Sequence, residues 1–349
     1  MKLKRIGLFA IVLIIIGALF VYPMDTYISR PGGAYDLSPL VEVEDGDEND
    51  VGTFSLMTIS MSKATVASYF YAQFSNKREI LPAAQVRRSG ENDKEYNVRQ
   101  QRLMTDSQFN AITVAFEKMG IPVDIEFDGV FVMSVLEDGA SNGILEAGDR
   151  IRTVDGVHLE KSGDFVDIIS RKILDDEVML SLVRDEKEMN VTIKVKEIPK
   201  EDGRVGLGIQ FVEDRKLTTD PEVTMHTSNI GGPSAGLMFT LEIMNRLNND
   251  EDISKGYTIA GTGEMLEDGT VGRIGGIDFK IMAASSEDVE IFFAPDDDIP
   301  EEVLDKNPGL LTNYEEAVAT AEMIGTEMKI VPVKTIDDAL DYLKDLEPK

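Results

Sequence analysis

Gly232-Pro233-Ser234-Ala235-Gly236 sets a serine between two glycines at the head of an apolar run, "LMFTLEI". This is the G-x-S-x-G pattern, in which glycines permit a tight turn and the serine stands exposed at the start of a helix. The chemistry on offer is nucleophilic attack by Ser234 Oγ. The free amides and positive potential of a helix N-terminus would suit an oxyanion. The same five residues would equally serve as a polar helix cap, with glycines chosen for backbone geometry. A partner for the hydroxyl decides between these readings.

A serine nucleophile needs a base. The chain holds two histidines, His158 and His226, and both precede Ser234. A nucleophile-elbow esterase needs an acid and then a histidine after the serine, so that class is disfavoured. Position 237 is leucine, which removes the S-x-x-K arrangement. A lysine from elsewhere remains. It must be shielded from water, because burial penalises the ammonium form and leaves a neutral amine able to accept the serine proton. Most lysines here sit in charged stretches. Lys280, in "GRIGGIDFKIMAASS", is flanked by apolar and small residues near the start of a helical segment. The positive end of that helix would disfavour the ammonium further. A snorkelling amphipathic lysine is the alternative for this residue.

These residues need elements to hold them. From 201 onward strands are expected at 222–227, 256–262, 289–294 and 328–333. Helices are expected at 234–248, 278–287, 313–325 and 336–346, the last opening on a Thr cap in "TIDD". Such alternation indicates an α/β domain. Residues 121–200 read differently, with two strands around a short helix at 129–156, a helix at 162–173 and a hairpin at 177–198. Earlier, 52–61 reads as a strand and 63–74 as a helix. The charged stretch 76–103 reads as a solvated excursion. Residues 106–120 form a helix, from an Asp cap to Gly120. Residues 25–51, with Pro31, Gly32 and Gly33 followed by the acidic "VEVEDGDEND", read as a linker. The acidic loop at 295–308 reads as solvated.

Composition bounds the rest. A chain of 349 residues predicts two or three domains. The absence of cysteine excludes disulfides and thiolate chemistry, and with only two histidines no Cys/His metal site or resident cofactor is expected. A formal net charge of −29 would repel phosphates, so nucleic-acid binding is set aside. At the N-terminus, residues 6–24 carry no charge and follow Lys2, Lys4 and Arg5. As a helix, 6–24 would rise about 28 Å, close to the bilayer core. The basic tail 1–5 would stay cytoplasmic, leaving the remainder extracytoplasmic on a single-pass anchor. No A-x-A-like cleavage site follows the apolar run, which argues against a removed signal peptide.

In combination, "VTMHTSNIGGPSAG", "AGTGEMLEDGTVGRIGG" and "GGIDFKIMAA" resemble the serine–lysine dyad region of Lon-type (S16-like) proteases, over roughly 220–333. The resemblance implies Ser234 as nucleophile and Lys280 as general base. It implies Thr262 positioning the amine, with Gly232, Pro233 and Gly236 supporting the turn. Unlike classical Lon, the chain has no G-x-x-x-x-G-K-[ST] phosphate loop, so ATP-driven unfolding of substrates is not expected of it. "DGVFVMSVLEDGASNGILEAGDRIRTVDG" resembles a PDZ domain of the bacterial protease type, which implies peptide binding near Asp128, Gly129, Val130 and Phe131. Anchor, PDZ and Lon-type domain together look like the single-pass SepM-like and YlbL-like proteases of Gram-positive bacteria. That implies cleavage of small secreted or membrane-tethered proteins at the cell membrane, and allows a homo-oligomer. The expected architecture is an α/β (α+β) Lon-type domain formed by 52–120 and 201–349, a mostly-β PDZ domain at 121–200 inserted into it, and one transmembrane helix. A PDZ adaptor on an inactive hydrolase-like domain is the alternative.

Overall fold

The computed structural model describes the backbone of residues 2–47, 51–199, 201, 203–227, 230–248 and 251–349; the side chains of 2–5, 8, 12 and 15 lie outside the described residues. The chain divides into two compact units, one of 1–89, 106–120 and 223–349, the other of 90–105 and 121–222.

The first unit is built on a six-stranded sheet in the order Lys329–Val333, Ile291–Pro295, Thr258–Gly261, Thr53–Thr65, Pro23–Asp36, Glu79–Pro82. The first four strands are parallel and the last two pair antiparallel. Parallel strands need crossovers, and here the helices Ile277–Ser286 and Asn313–Ile324 supply them. Strand Ile291–Pro295 is buried at every residue, as its unbroken run Ile-Phe-Phe-Ala-Pro requires of a strand covered on both faces. Helices Ile277–Ser286 and Asn313–Ile324 meet through Ile281, Ala284, Ala317 and Ala321 over Phe292. The small alanines let the helices approach closely. Thr312 and Thr335 cap the last two helices by accepting from the amides of Glu315 and Asp338.

Readings of three stretches between 23 and 118 give way here. Residues 25–36 of the expected linker 25–51 belong to a strand, Pro23–Asp36, that begins within the expected apolar span 6–24 and pairs along Thr53–Thr65. Pro31, Gly32 and Gly33 make an irregularity in that ladder rather than a turn. There the Gly33 amide donates to Thr58 Oγ1, and a Cβ on Gly32 would lie 2.4 Å from the same oxygen. Residues 48–50 of that linker lie outside the described residues. The helix expected from Asp106 starts at Asp93 and runs to Lys118, because Asp106 sits mid-helix and the preceding polar residues continue the turn. The excursion at 76–103 also contains the strand Glu79–Pro82 and a short helix at Ala83–Val86. At the N-terminus Lys2–Val21 is helical, yet among the described residues no helix is long and apolar enough to cross a membrane.

The second unit is a sheet in the order Ile209–Thr218, Asp124–Val135, Arg150–Val154, Glu177–Arg184, Lys187–Lys194, with Val157–His158 beside Arg150–Val154. Val130, Val132, Ile151, Leu180, Ile193 and Phe165 fill its core. The short helix expected within 129–156 is instead a series of turns over 137–148, where Gly143 and Gly148 take positive φ. Strand Ile209–Thr218 was not foreseen. It pairs antiparallel with Asp124–Val135 from Ile209 opposite Val135 to Thr218 opposite Asp124, which brings 201–222 into this unit.

Candidate active site

Ser234 stands one residue before the helix-capping Ala235, at the head of helix Gly236–Leu247. Gly236 to Arg246 of that helix are all buried, including the ion pair Arg246 Nε–Glu242 Oε1 at 2.9 Å. A fully buried helix cannot shift without moving the core, so its first turn is a rigid mount. The turn into it needs glycine twice. Gly232 adopts φ +89°, a left-handed conformation that favours glycine. Gly236 lies so close to the strand Glu264–Met265 that a Cβ would sit 2.6 Å from the Met265 amide nitrogen. Between them Ser234 is half-buried.

Lys280 occupies the first turn of helix Ile277–Ser286 and is 2% exposed. Its Nζ lies 2.7 Å from Ser234 Oγ and 2.8 Å from Thr262 Oγ1. Burial lowers its pKa from 10.5 to about 7. Thr262 follows strand Thr258–Gly261 directly. Its hydroxyl donates to the Ser234 carbonyl at 2.9 Å, an oxygen that also accepts from the Gly263 amide at 2.9 Å. A hydroxyl has one proton to give. With that proton on the Ser234 carbonyl, Thr262 can only accept from the lysine. One amine N–H is thereby held on Thr262, and in the neutral form the lone pair is free for the serine O–H. The structure thus brings Ser234, Lys280 and Thr262 together, with Gly232, Pro233 and Gly236 shaping the turn. His226 lies against surface Glu42, with Nε2 3.2 Å from the carboxylate.

The entry to the lysine helix is also pinned. Buried Asn313 accepts from the Ile274 amide at 2.7 Å and donates to the Ile274 carbonyl at 3.1 Å. Gly276, at φ +68°, then caps the helix.

Sequence reading missed a brace behind the serine. On helix Asp93–Lys118, Ser107 Oγ donates to the Pro233 carbonyl at 2.9 Å, and Gln108 Nε2 donates to Thr227 Oγ1 at 2.6 Å. Asn110 Nδ2 donates to the Met265 carbonyl at 2.9 Å. Three neighbouring side chains therefore fix the serine loop and the strand it abuts. The available signal was the polar Ser107, Gln108 and Asn110 set among the apolar Phe109, Ala111, Val114 and Ala115, since a polar group on a buried helix face needs a partner.

In the second unit, residues 128–131, where the resemblance implies peptide binding, are engaged within the unit. Asp128 accepts from Arg150 and Arg152, Val130 is fully buried, and a Cβ on Gly129 would lie 2.5 Å from the Ile151 carbonyl oxygen. Phe131 lies under the Arg102 guanidinium, 5.3 Å from its ring centre. Val130 and Phe131 pair with Arg150–Val154 on one side and Ile209–Thr218 on the other, so these two residues offer no free edge. An edge lies instead at Ile209–Thr218, last in the sheet order. A cavity of about 390 Å³ opens between its start and helix Ser162–Ser170, lined by Phe165, Val166, Ile169, Leu207, Ile209 and Phe211 among others.

Residues 176–343 match the Lon protease (S16) C-terminal proteolytic domain, and residues 117–195 match the PDZ domain family. Among curated proteins, the Lon protease of Metamycoplasma arthritidis is 26% identical over 171 residues, covering 46% of this chain and 18% of that protein. The Lon protease of Malacoplasma penetrans is 32% identical over 166 residues, covering 45% of this chain and 19% of that protein. The chain thus spans under a fifth of the length of either relative. Among solved structures, the PDZ domain of an SdrC-like protein from Listeria monocytogenes is 37% identical, covering 25% of this chain and 90% of its own, with a TM-score of 0.24. The corresponding domain from Listeria innocua is 39% identical, covering 24% and 93%, with a TM-score of 0.23. With the buried amine, the serine and the threonine within hydrogen-bonding distance, and with both matches in place, this chain carries a PDZ domain and a C-terminal proteolytic domain of the Lon (S16) type.

Proposed function

We propose that the protein is a membrane-anchored serine endopeptidase that works without ATP, using Ser234 as nucleophile and Lys280 as general base. The observation that carries this reading is the 2.7 Å approach of a buried, partner-oriented amine to a half-buried hydroxyl. Neutral Lys280 takes the Ser234 proton as Oγ attacks the scissile carbonyl. Backbone amides of the turn at Ser234, ahead of the helix, stabilise the oxyanion. The ammonium then gives its proton to the leaving amine, and water, deprotonated by the same lysine, hydrolyses the acyl-enzyme. Only the neutral amine is a base. Cleavage therefore rises with pH through about 7 and is lost below it.

Unstructured β-casein is a suitable probe. The purified full chain is expected to cleave it with no nucleotide present and with the stated pH dependence. No cleavage between pH 6 and 9 would overturn the enzymatic reading. Ser107 acts through Pro233, so Ser107→Ala should lower kcat about tenfold by loosening the nucleophile. The pH midpoint should stay in place, because the lysine's surroundings are unchanged. A shifted midpoint, or no loss of rate, would contradict the bracing role.

The PDZ domain, inserted in sequence within the proteolytic unit, captures peptide ends. An extended C-terminus adds to the edge of Ile209–Thr218, its apolar side chains enter the cavity against helix Ser162–Ser170, and Lys172 and Arg204 on the cavity wall suit its carboxylate. Val166→Asp should weaken binding of C-terminal peptides, read by calorimetry, and raise KM. Unaltered affinity would refute the groove.

The anchor rests on the uncharged residues 6–24 behind Lys2, Lys4 and Arg5, and it leaves the proteolytic unit outside the cell. Substrates are then small secreted or membrane-tethered proteins. Release of the full chain from membranes by alkaline carbonate would count against an integral anchor.

A further inference from the structure

Helix Val66–Ala72 presents Phe70 and Tyr71 outward. Its Ala72 is buried and Tyr69 packs with Ile28, Ala64, Met24 and Ile80. Phe70 and Tyr71 point out, 59% and 61% exposed, and Phe74 just beyond is 87% exposed. The N-terminal helix ends beside it, with Tyr22 69% exposed. Four large aromatic residues thus stand in water at one end of the first unit. Around them the charge reverses. In a chain of net −29, residues 63–88 hold Lys63, Lys77, Arg78, Arg87 and Arg88 against the single acid Glu79. Lys63, Lys77 and Arg88 are exposed, and the Arg78 guanidinium lies 4.7 Å from the Tyr71 ring centre.

We infer that this face docks on an anionic bilayer surface. Phe70, Tyr71, Phe74 and Tyr22 enter the headgroup layer, and the basic residues meet lipid phosphates. The inference builds on the proposed anchor. Aromatic rings with a polar handle or a cationic neighbour favour the boundary between headgroups and acyl chains. Basic side chains are drawn to an anionic surface within about a Debye length of it. By net charge the rest of the chain is acidic, which favours approach through this basic aromatic face. The occupant is a membrane rather than an acidic protein because the patch is continuous with the apolar N-terminal helix. A single tether would leave the proteolytic unit free to tumble. A second contact holds it against the bilayer, within reach of chain segments that emerge from the membrane.

The chain has no tryptophan, so one introduced residue reports its own surroundings. Full-length Phe74→Trp, Phe9→Trp and Met323→Trp would each be reconstituted in phosphatidylcholine liposomes with brominated acyl chains, with and without phosphatidylglycerol. Met323 is 67% exposed on helix Asn313–Ile324 and serves as the control. The expected result is a blue shift and a loss of emission to bromine for Phe74→Trp only when phosphatidylglycerol is present, with Met323→Trp unquenched. Quenching of Phe9→Trp without Phe74→Trp would overturn the docking face and leave the anchor standing. Quenching of Phe74→Trp without Phe9→Trp would keep the face and remove the anchor. Quenching of neither would overturn both. Equal quenching in neutral liposomes would overturn the assignment to anionic headgroups. A blue shift that grows with protein concentration and ignores bromine would assign the patch to a second copy of the chain.

Discussion

Ser234→Ala is expected to lower kcat/KM on an unfolded polypeptide by at least about a thousandfold, with little change in melting temperature. The substitution removes the attacking atom, and the remaining oxyanion donors and binding contacts sustain only a residual rate. The backbone turn should survive. Its geometry rests on Gly232, on the close approach at Gly236, and on donors to the Pro233 and Ser234 carbonyls, none of which involves the lost hydroxyl. Lys280 keeps its hydrogen bond to Thr262, so the amine stays in place. Steady-state cleavage measured beside thermal unfolding separates the two effects. Retention of more than a tenth of the activity would remove Ser234 from the mechanism.

Lys280→Met is expected to be equally inactive and yet more stable. The wild-type lysine is buried, and its pKa falls from 10.5 to about 7 through desolvation. A depressed lysine pKa means that, between pH 7 and 10.5, the unfolded chain binds a proton that the folded chain lacks. Wild-type stability therefore climbs with pH across that window. Below about pH 7 the folded chain must carry a buried ammonium, a burden on the order of a few kcal/mol. Methionine has similar length and no charge, so it escapes that burden. Its advantage should be greatest at and below pH 7, roughly 5–10 °C in the melting temperature of the proteolytic unit, and should fade toward pH 10.5. Melting curves at pH 6, 8 and 10 check the trend. A variant less stable than wild type at pH 6 would mean that the amine stabilises the fold, and the buried-base reading would then fail.

Much of the proteolytic unit is legible along the chain. The strands Thr258–Gly261, Ile291–Pro295 and Lys329–Val333 and their intervening helices follow from apolar runs, threonine caps and alternation, all of which are local signals. Strand Pro23–Asp36 was hidden because Pro31, Gly32 and Gly33 mimic a turn, and its pairing with Thr53–Thr65 is a property of the partner. Strand Ile209–Thr218 was hidden for a related reason. It completes a sheet through Asp124–Val135, some eighty residues earlier, and no local period announces so distant a partner. That pairing also places Val130 and Phe131 between two strands, whereas Ile209–Thr218 stands at the edge of the sheet.

Residue types and spacing alone determined the reagents: a serine at a glycine-flanked helix start, a lysine in an apolar setting, and no histidine after the serine. They also determined the alternation of elements on which those residues ride, because propensity and periodicity act over a few residues. Tertiary structure decided whether the reagents meet. It removed the amine from water, set it 2.7 Å from the hydroxyl, committed the Thr262 proton to the Ser234 carbonyl, and brought Ser107 behind the loop. Burial and hydrogen-bond direction belong to groups far apart in the chain, so they exist only once the core has closed around them.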